Sequence, residues 1–192
     1  MKLYIDFEGQ FPQLIEVAIL MVEEDSPTRV FHRIIRPPIM PLDDCSARFC
    51  HCIPTWYVGK KGVPEEYVLY ELSWYLGKFP RPLTICGYGD DVKESFLKSW
   101  LRDVDFTGIS FAQVNLAPWK ERDLLPSHQQ ATLLRHSVGY EYCSAHRLLL
   151  NAKTLERQKH GPHCAFIDVL ELFMVDTGKM VTSETVHALD WL

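Results

Sequence analysis

A chain of 192 residues that is 47% hydrophobic is long enough for one sizeable core and short for two, so it reads as a single domain over residues 1–192. A formal charge of -5 excludes a protein that coats nucleic acid through its net field and leaves any such contact local. No apolar run approaches the roughly 18 residues of a membrane span and no signal-peptide pattern opens the chain, which points to a soluble protein of the cytoplasm or nucleus with no membrane partner.

Lys2 to Phe7 is a short apolar run suited to a buried strand, and Gly9 to Gln13 supplies a break. Glu16 to Val22 and Arg29 to Ile35 are two further strands, the last ended by Pro37-Pro38, and the short connections favour an antiparallel meander. Met40 to Gly62 reads as irregular, a loop long enough to be functional. Pro64 opens a helix whose Val68, Leu69, Leu72 and Leu76 recur at helical spacing until about Gly77. Leu83 to Cys86 is a strand running into Gly-Tyr-Gly-Asp-Asp, and Val92, Phe96, Leu97, Trp100 and Leu101 mark the helix that follows. Ile109 to Leu116 is the last strand. Gln129 to Leu134 and Tyr140 to Ala152 look helical, and Lys153 to His160 is a basic connector. After Pro162, apolar residues at helical spacing to Val175 give an amphipathic helix with His163 near its start and Asp168 within it, and Thr182 to Leu192 reads as a last short helix. A meander followed by alternating helices and strands indicates an α/β protein, a mixed sheet with helices packed on it.

Asp6 and Glu8 are two residues apart on the first strand, so their side chains share a face. Two carboxylates turned into an apolar core are costly unless they meet water or cations. Asp91 and Asp168, each near a helix start, bring the set to four, and hard oxygen donors of this kind suit two Mg²⁺ or Mn²⁺ ions. His163, with an ordinary pKa of about 6.5, can take the proton of an attacking water. Together these groups meet the needs of two-metal phosphodiester hydrolysis.

A second, softer site is suggested by the six cysteines, which without a secretion signal read as thiols or metal ligands more than disulfides. Cys143 and His146 lie three apart on a helix, hence on one face, and can close half of a tetrahedral Zn²⁺ site. Cys164 is a third candidate ligand. Glu16, an acid set among Leu14, Ile15, Val17, Ala18 and Ile19, is a fourth, because metal ligation explains a carboxylate there. Ordinary buried thiols and a surface histidine are the alternative. Lys153, Arg157 and Lys159 are candidate phosphate contacts, with Arg36, Lys60 and Lys61 as a second basic rim. Trp56 and Tyr88 offer base-stacking surfaces, whereas Phe7 suits the core.

The order Asp-x-Glu, Asp, His-x-x-x-x-Asp resembles the Asp-Glu-Asp-Asp-His (DEDDh) 3′→5′ exonucleases of the ribonuclease H-like superfamily. The resemblance implies a mixed five-stranded sheet, removal of nucleoside monophosphates from a 3′ end, and two divalent ions. It assigns ligation to Asp6, Glu8, Asp91 and Asp168 and base catalysis to His163. One departure is that Gly87-Tyr88-Gly89 leads straight into Asp90 and Asp91, where the family places an aromatic residue; Asp91 is preferred because Val92 starts the helix register behind it.

Glu16-Val-Ala, Cys143-x-x-His146 and Pro162-His-Cys-Ala-x-x-Asp168 further resemble the Maelstrom domain of small-RNA silencing and the exonuclease domain of arenaviral nucleoproteins. Phe31-His-Arg-Ile-Ile-Arg-Pro37 is similar to the first, and Gly89-Asp-Asp-Val to the second. Both groups hold a zinc through Glu, Cys, His and Cys, which implies Glu16, Cys143, His146 and Cys164 here. They also imply RNA, single- or double-stranded, as partner. A catalytically idle RNA-binding module and an endoribonuclease are the competing functions, and the sequence names no protein partner.

Overall fold

The computed structural model describes residues 1–10, 13–38, 53–89, 94–139 and 164–192. Lys2–Gln10 (β1), Gln13–Glu23 (β2) and Ser26–Arg36 (β3) form the expected antiparallel meander. Next come Thr55–Lys61 (α1), Val63–Pro64 (β4), Glu65–Lys78 (α2), Leu83–Gly87 (β5), Glu94–Trp100 (α3) and Ile109–Gln113 (β6). Trp119–Arg122 (α4), Pro126–Leu134 (α5), Ala165–Thr177 (α6), Ser183–His187 (α7) and Asp190–Trp191 (β7) complete the described elements. At its end α5 widens into a π turn over Arg135–Gly139.

The sheet order is β4-β3-β2-β1-β5-β6, with β5 parallel to β1 and β6 parallel to β5. The five long strands are the mixed sheet expected from the sequence. Two-residue strands add to it, β4 beside Ile35 and Arg36 and β7 beside Arg29 and Val30, on the edge of β3 that β2 leaves open.

Three local expectations change. Gly9 does not end the first strand: β1 continues to Gln10 through a register shift between Glu8 and Gly9, where Gly9 takes φ 103°, a conformation glycine adopts without strain. Within the segment expected to be irregular, Thr55–Lys61 is helical, with Tyr57 and Val58 buried. The tail is a helix only to His187, capped at its start by Thr182, after which the chain straightens to pair with β3. The helix expected over Tyr140 to Ala152 and the connector to His160 lie outside the described residues. Among the described residues no helix is long and apolar enough to cross a membrane.

The alternation along β1 divides the core. Leu3, Ile5 and Phe7 pack with Val68, Leu72 and Leu76 of α2 and Leu97 and Trp100 of α3. Tyr4 packs on the other face with Phe166, Val169, Leu170 and Phe173 of α6, its ring edge-on to Phe173 at 5.7 Å. In α6, Ala165 to Ile167 and Val169 to Met174 are all buried, so this helix is enclosed nearly all round where an amphipathic one was expected. Each such Leu or Phe contributes about 1.5–3 kcal/mol on burial. The helix is stopped by Gly178, whose left-handed φ of 69° lets its N–H reach Met174 O at 2.9 Å.

Candidate metal centre

β1 and α6 lie antiparallel, and polar residues on the facing side of β1 mark the register. Lys2 Nζ and Tyr4 OH donate to Asp176 Oδ2 at 2.8 and 2.6 Å, near the end of α6. These two bonds hold the Asp176 carboxyl below its usual range against the opposing effect of burial, and burial together with Asp176 pushes the Tyr4 hydroxyl far up. Two and four residues on, Asp6 and Glu8 come level with Asp168 in the first turns of the helix. One ligand-capable oxygen from each of these three carboxylates lies within 4.8 Å of the others. They open on a cleft also lined by Phe7, Tyr88, Leu116, Arg122, Glu171 and Leu172.

Carboxylates about 4 Å apart repel by about 4 kcal/mol per pair at an effective dielectric near 20. An all-oxygen, anionic donor set with an open side fits a hard divalent cation such as Mg²⁺ or Mn²⁺. Asp90, Asp91 and His163 lie outside the described residues, as do Lys153, Arg157 and Lys159.

Three basic side chains of this site were not singled out in the sequence. Arg135, in the π turn, is 7% exposed; its Nη2 contacts Asp168 Oδ1 and donates to Glu171 Oε2 at 3.1 Å. His128 Nδ1 lies 2.7 Å from the other oxygen, Glu171 Oε1. His128 and Arg135 are seven apart on α5 and its extension, two turns, and Asp168 and Glu171 are three apart on α6, so two polar faces meet inside the core. Burial disfavours the Arg135 charge, but Asp168 and Glu171 outweigh it and hold the guanidinium above its ordinary pKa. A charge-assisted bond of this kind contributes about 1.5–3 kcal/mol. The third residue, Arg122, is also buried; its Nε donates to Ala117 O at 3.0 Å and its guanidinium lies 5.7 Å from the Tyr88 ring centre. One signal was available: Asp168 and Glu171 are the only charged residues in the apolar run from Ala165 to Val175.

Glu16 is 0% exposed, as the apolar sequence around it suggests, but its surroundings are not only apolar. Its Oε1 is 2.7 Å from His32 Nε2 and 3.9 Å from Cys164 Sγ, and its Oε2 accepts from the Ala165 N–H at 3.3 Å. His32 was passed over in the sequence, and it gives the buried acid a polar partner. Asp168 holds the same helix start from within, its Oδ2 accepting from the Cys164 N–H at 3.3 Å. Of the four candidate zinc ligands, Glu16 and Cys164 therefore lie together, while Cys143 and His146 lie outside the described residues. Glu8 and Glu16 are directly paired across the β1–β2 ladder, so the hard and soft sites adjoin. Phe7 is core, edge-on to Phe96 and Trp100, whereas Tyr88 and Trp56 are exposed.

No family model and no curated protein sequence matches this chain. Solved structures do. The exonuclease domain of Mopeia virus, in a manganese-depleted form, aligns with a TM-score of 0.57 at 18% identity, over 96% of this chain and 84% of that one. Exonuclease I of Methylocaldum szegediense aligns with a TM-score of 0.52 at 12% identity, over 92% of this chain but 40% of its own. The chain thus has the α/β fold of these exonuclease domains, a mixed sheet flanked by helices. Neither of the two is a Maelstrom domain, and that likeness stays one of sequence motifs.

Proposed function

We propose that this chain is a divalent-metal-dependent 3′→5′ exonuclease acting on RNA. The observation that carries the proposal is the convergence of Asp6 and Glu8 from β1 with Asp168 from α6 at an open cleft. It is supported by the fold shared with exonuclease domains. Asp6, Glu8 and Asp168, with Asp91 as fourth ligand, hold two Mg²⁺ or Mn²⁺ ions. When bound, such ions supply Lewis-acid stabilisation of the phosphoryl oxygens and lower the pKa of a coordinated water.

The chain's own residues do the rest. His163 takes the proton of the attacking water. Tyr88 and Leu116 form the wall for the terminal nucleotide, and Arg122 sets a positive charge near its phosphate. Lys153, Arg157 and Lys159 hold the strand beyond it. Glu16, Cys143, His146 and Cys164 bind one structural Zn²⁺ that fixes the start of α6. The preference for RNA rests on the motif likeness to Maelstrom and arenaviral domains. Residues 1–192 act as one domain.

The test is degradation of 3′-labelled single- and double-stranded RNA with Mn²⁺ by the wild type, Asp6→Ala and His163→Ala. Loss of laddering in both variants is expected; equal activity in all three refutes the proposal. Circular RNA should resist, and its cleavage identifies an endonuclease instead. The contact of Arg135 with Asp168 favours a second function, an idle RNA-binding module in which a guanidinium stands where an ion would. Bound RNA left intact by the wild type under all metals selects it.

A further inference from the structure

Arg135 joins a candidate cation ligand, Asp168, to the buried polar network behind it. A single nitrogen, Nη2, serves both Asp168 and Glu171, and Glu171 is braced from its far side by His128 at 2.7 Å. The guanidinium is enclosed, and arginine is charged at any working pH, so a permanent unit of positive charge shares Asp168 with any ion the site takes up. Among the described residues, Asp6, Glu8, Asp168 and Glu171 stand beside Arg122 and Arg135, and Asp91, the proposed fourth ligand, adds a further carboxylate, so the site is net negative and draws in a divalent ion that must share Asp168 with the Arg135 charge.

Resting on the cation site proposed above, we propose that Arg135 is an internal counter-cation. It competes with divalent ions for Asp168 and holds their affinity down. A positioning role predicts the opposite sign, because an Asp168 freed from its hydrogen bond would ligate less well. The repulsion between a guanidinium and a doubly charged ion sharing one carboxylate exceeds the contribution of one charge-assisted hydrogen bond to orienting it. The counter-charge effect therefore dominates.

The experiment is a titration of Mn²⁺ followed by the electron paramagnetic resonance signal of the free ion, on the full chain without nucleic acid. Arg135→Gln should bind Mn²⁺ at least tenfold more tightly than the wild type, about 1.4 kcal/mol. Affinity in Arg135→Gln equal to or below wild type overturns the proposal. Should that variant not fold, Arg135→Met takes its place, with the same tighter Mn²⁺ binding expected and equal or weaker binding as the adverse result. Asp6→Asn separates the two levels. If it leaves Mn²⁺ binding intact, the ion lies elsewhere and the cation site itself is refuted; Asp6-dependent binding that Arg135→Gln does not strengthen overturns the counter-cation alone. A wild type and Arg135→Gln that both fail to bind Mn²⁺ refute both.

Discussion

Glu8 and Glu16 are partners across the same ladder, on the same face, yet they belong to different environments. Glu16 is sealed: His32 and the N-terminal amide of α6 take its oxygens, and no solvent reaches it. Glu8 looks into a cleft with Asp6 and Asp168. Like charges directly opposed on a sheet are destabilising, so such a row persists only if each member finds positive charge or a proton. Glu16 finds a neighbouring histidine. Glu8, though only 6% exposed, borders the cleft beside Asp6 and Asp168. The difference teaches that the neighbours a buried acid meets, more than its residue type or its burial, divide a structural acid from one available for chemistry.

Substitutions beside the cleft carry the largest expected effects. Asp6→Asn and Asp168→Asn should each lower exonuclease turnover by about 10³-fold, on the scale of losing a principal electrostatic contact. Thermal unfolding without added metal should show Asp6→Asn no less stable than the wild type, since one of three repelling charges is gone. A large loss of melting temperature instead would make Asp6 a structural acid like Glu16.

At the sealed side the pattern inverts. Glu16→Ala takes away the carboxylate that His32 meets at 2.7 Å, and loss of a buried hydrogen-bond partner costs about 1–3 kcal/mol. For a chain of this size that is a fall of about 3–10 °C in melting temperature. His32→Ala should fall similarly, and the double variant should lose less than both together, with a coupling of about 0.5–3 kcal/mol. Purely additive losses would show that the 2.7 Å contact carries no energy of its own. Elemental analysis for zinc on the same variants sharpens the result, since ligation by Glu16 requires Glu16→Ala to lose metal and His32→Ala to keep it.

The smallest effects lie at the far end of α6. Tyr4→Phe removes one hydrogen bond to Asp176 and should cost about 1 kcal/mol in chemical denaturation. Because the Asp176 carboxyl is held below its usual value, its contribution is fully present above an ordinary aspartate pKa of about 3.9 and fades as the pH falls through the lowered one. The group is partly exposed, so the pH-dependent share should stay under about 1 kcal/mol. An acid-limb difference between wild type and Asp176→Asn measures it, and no difference between them would show the triad with Lys2 to be energetically neutral.

Much of the site was legible because strand and helix periods fix faces locally. A period of two places Asp6 beside Glu8 and sends Leu3, Ile5 and Phe7 the other way, and the apolar run after Pro162 carries Asp168 on a helix. The chemistry of those groups, hard anionic oxygens, is likewise a property of the residues. The packing of α5 against α6 was not legible, because contacts between residues 128 and 171 or 135 and 168 depend on how two helices meet, and nothing in either segment alone encodes it. Nor was His32, which reads as one residue in a basic strand until the register sets it diagonally across from Glu16. An acid in an apolar stretch announces only that some partner exists. Which partner it is depends on strand register and helix docking, long-range choices set by burial of the whole core, and so only the folded chain decided it.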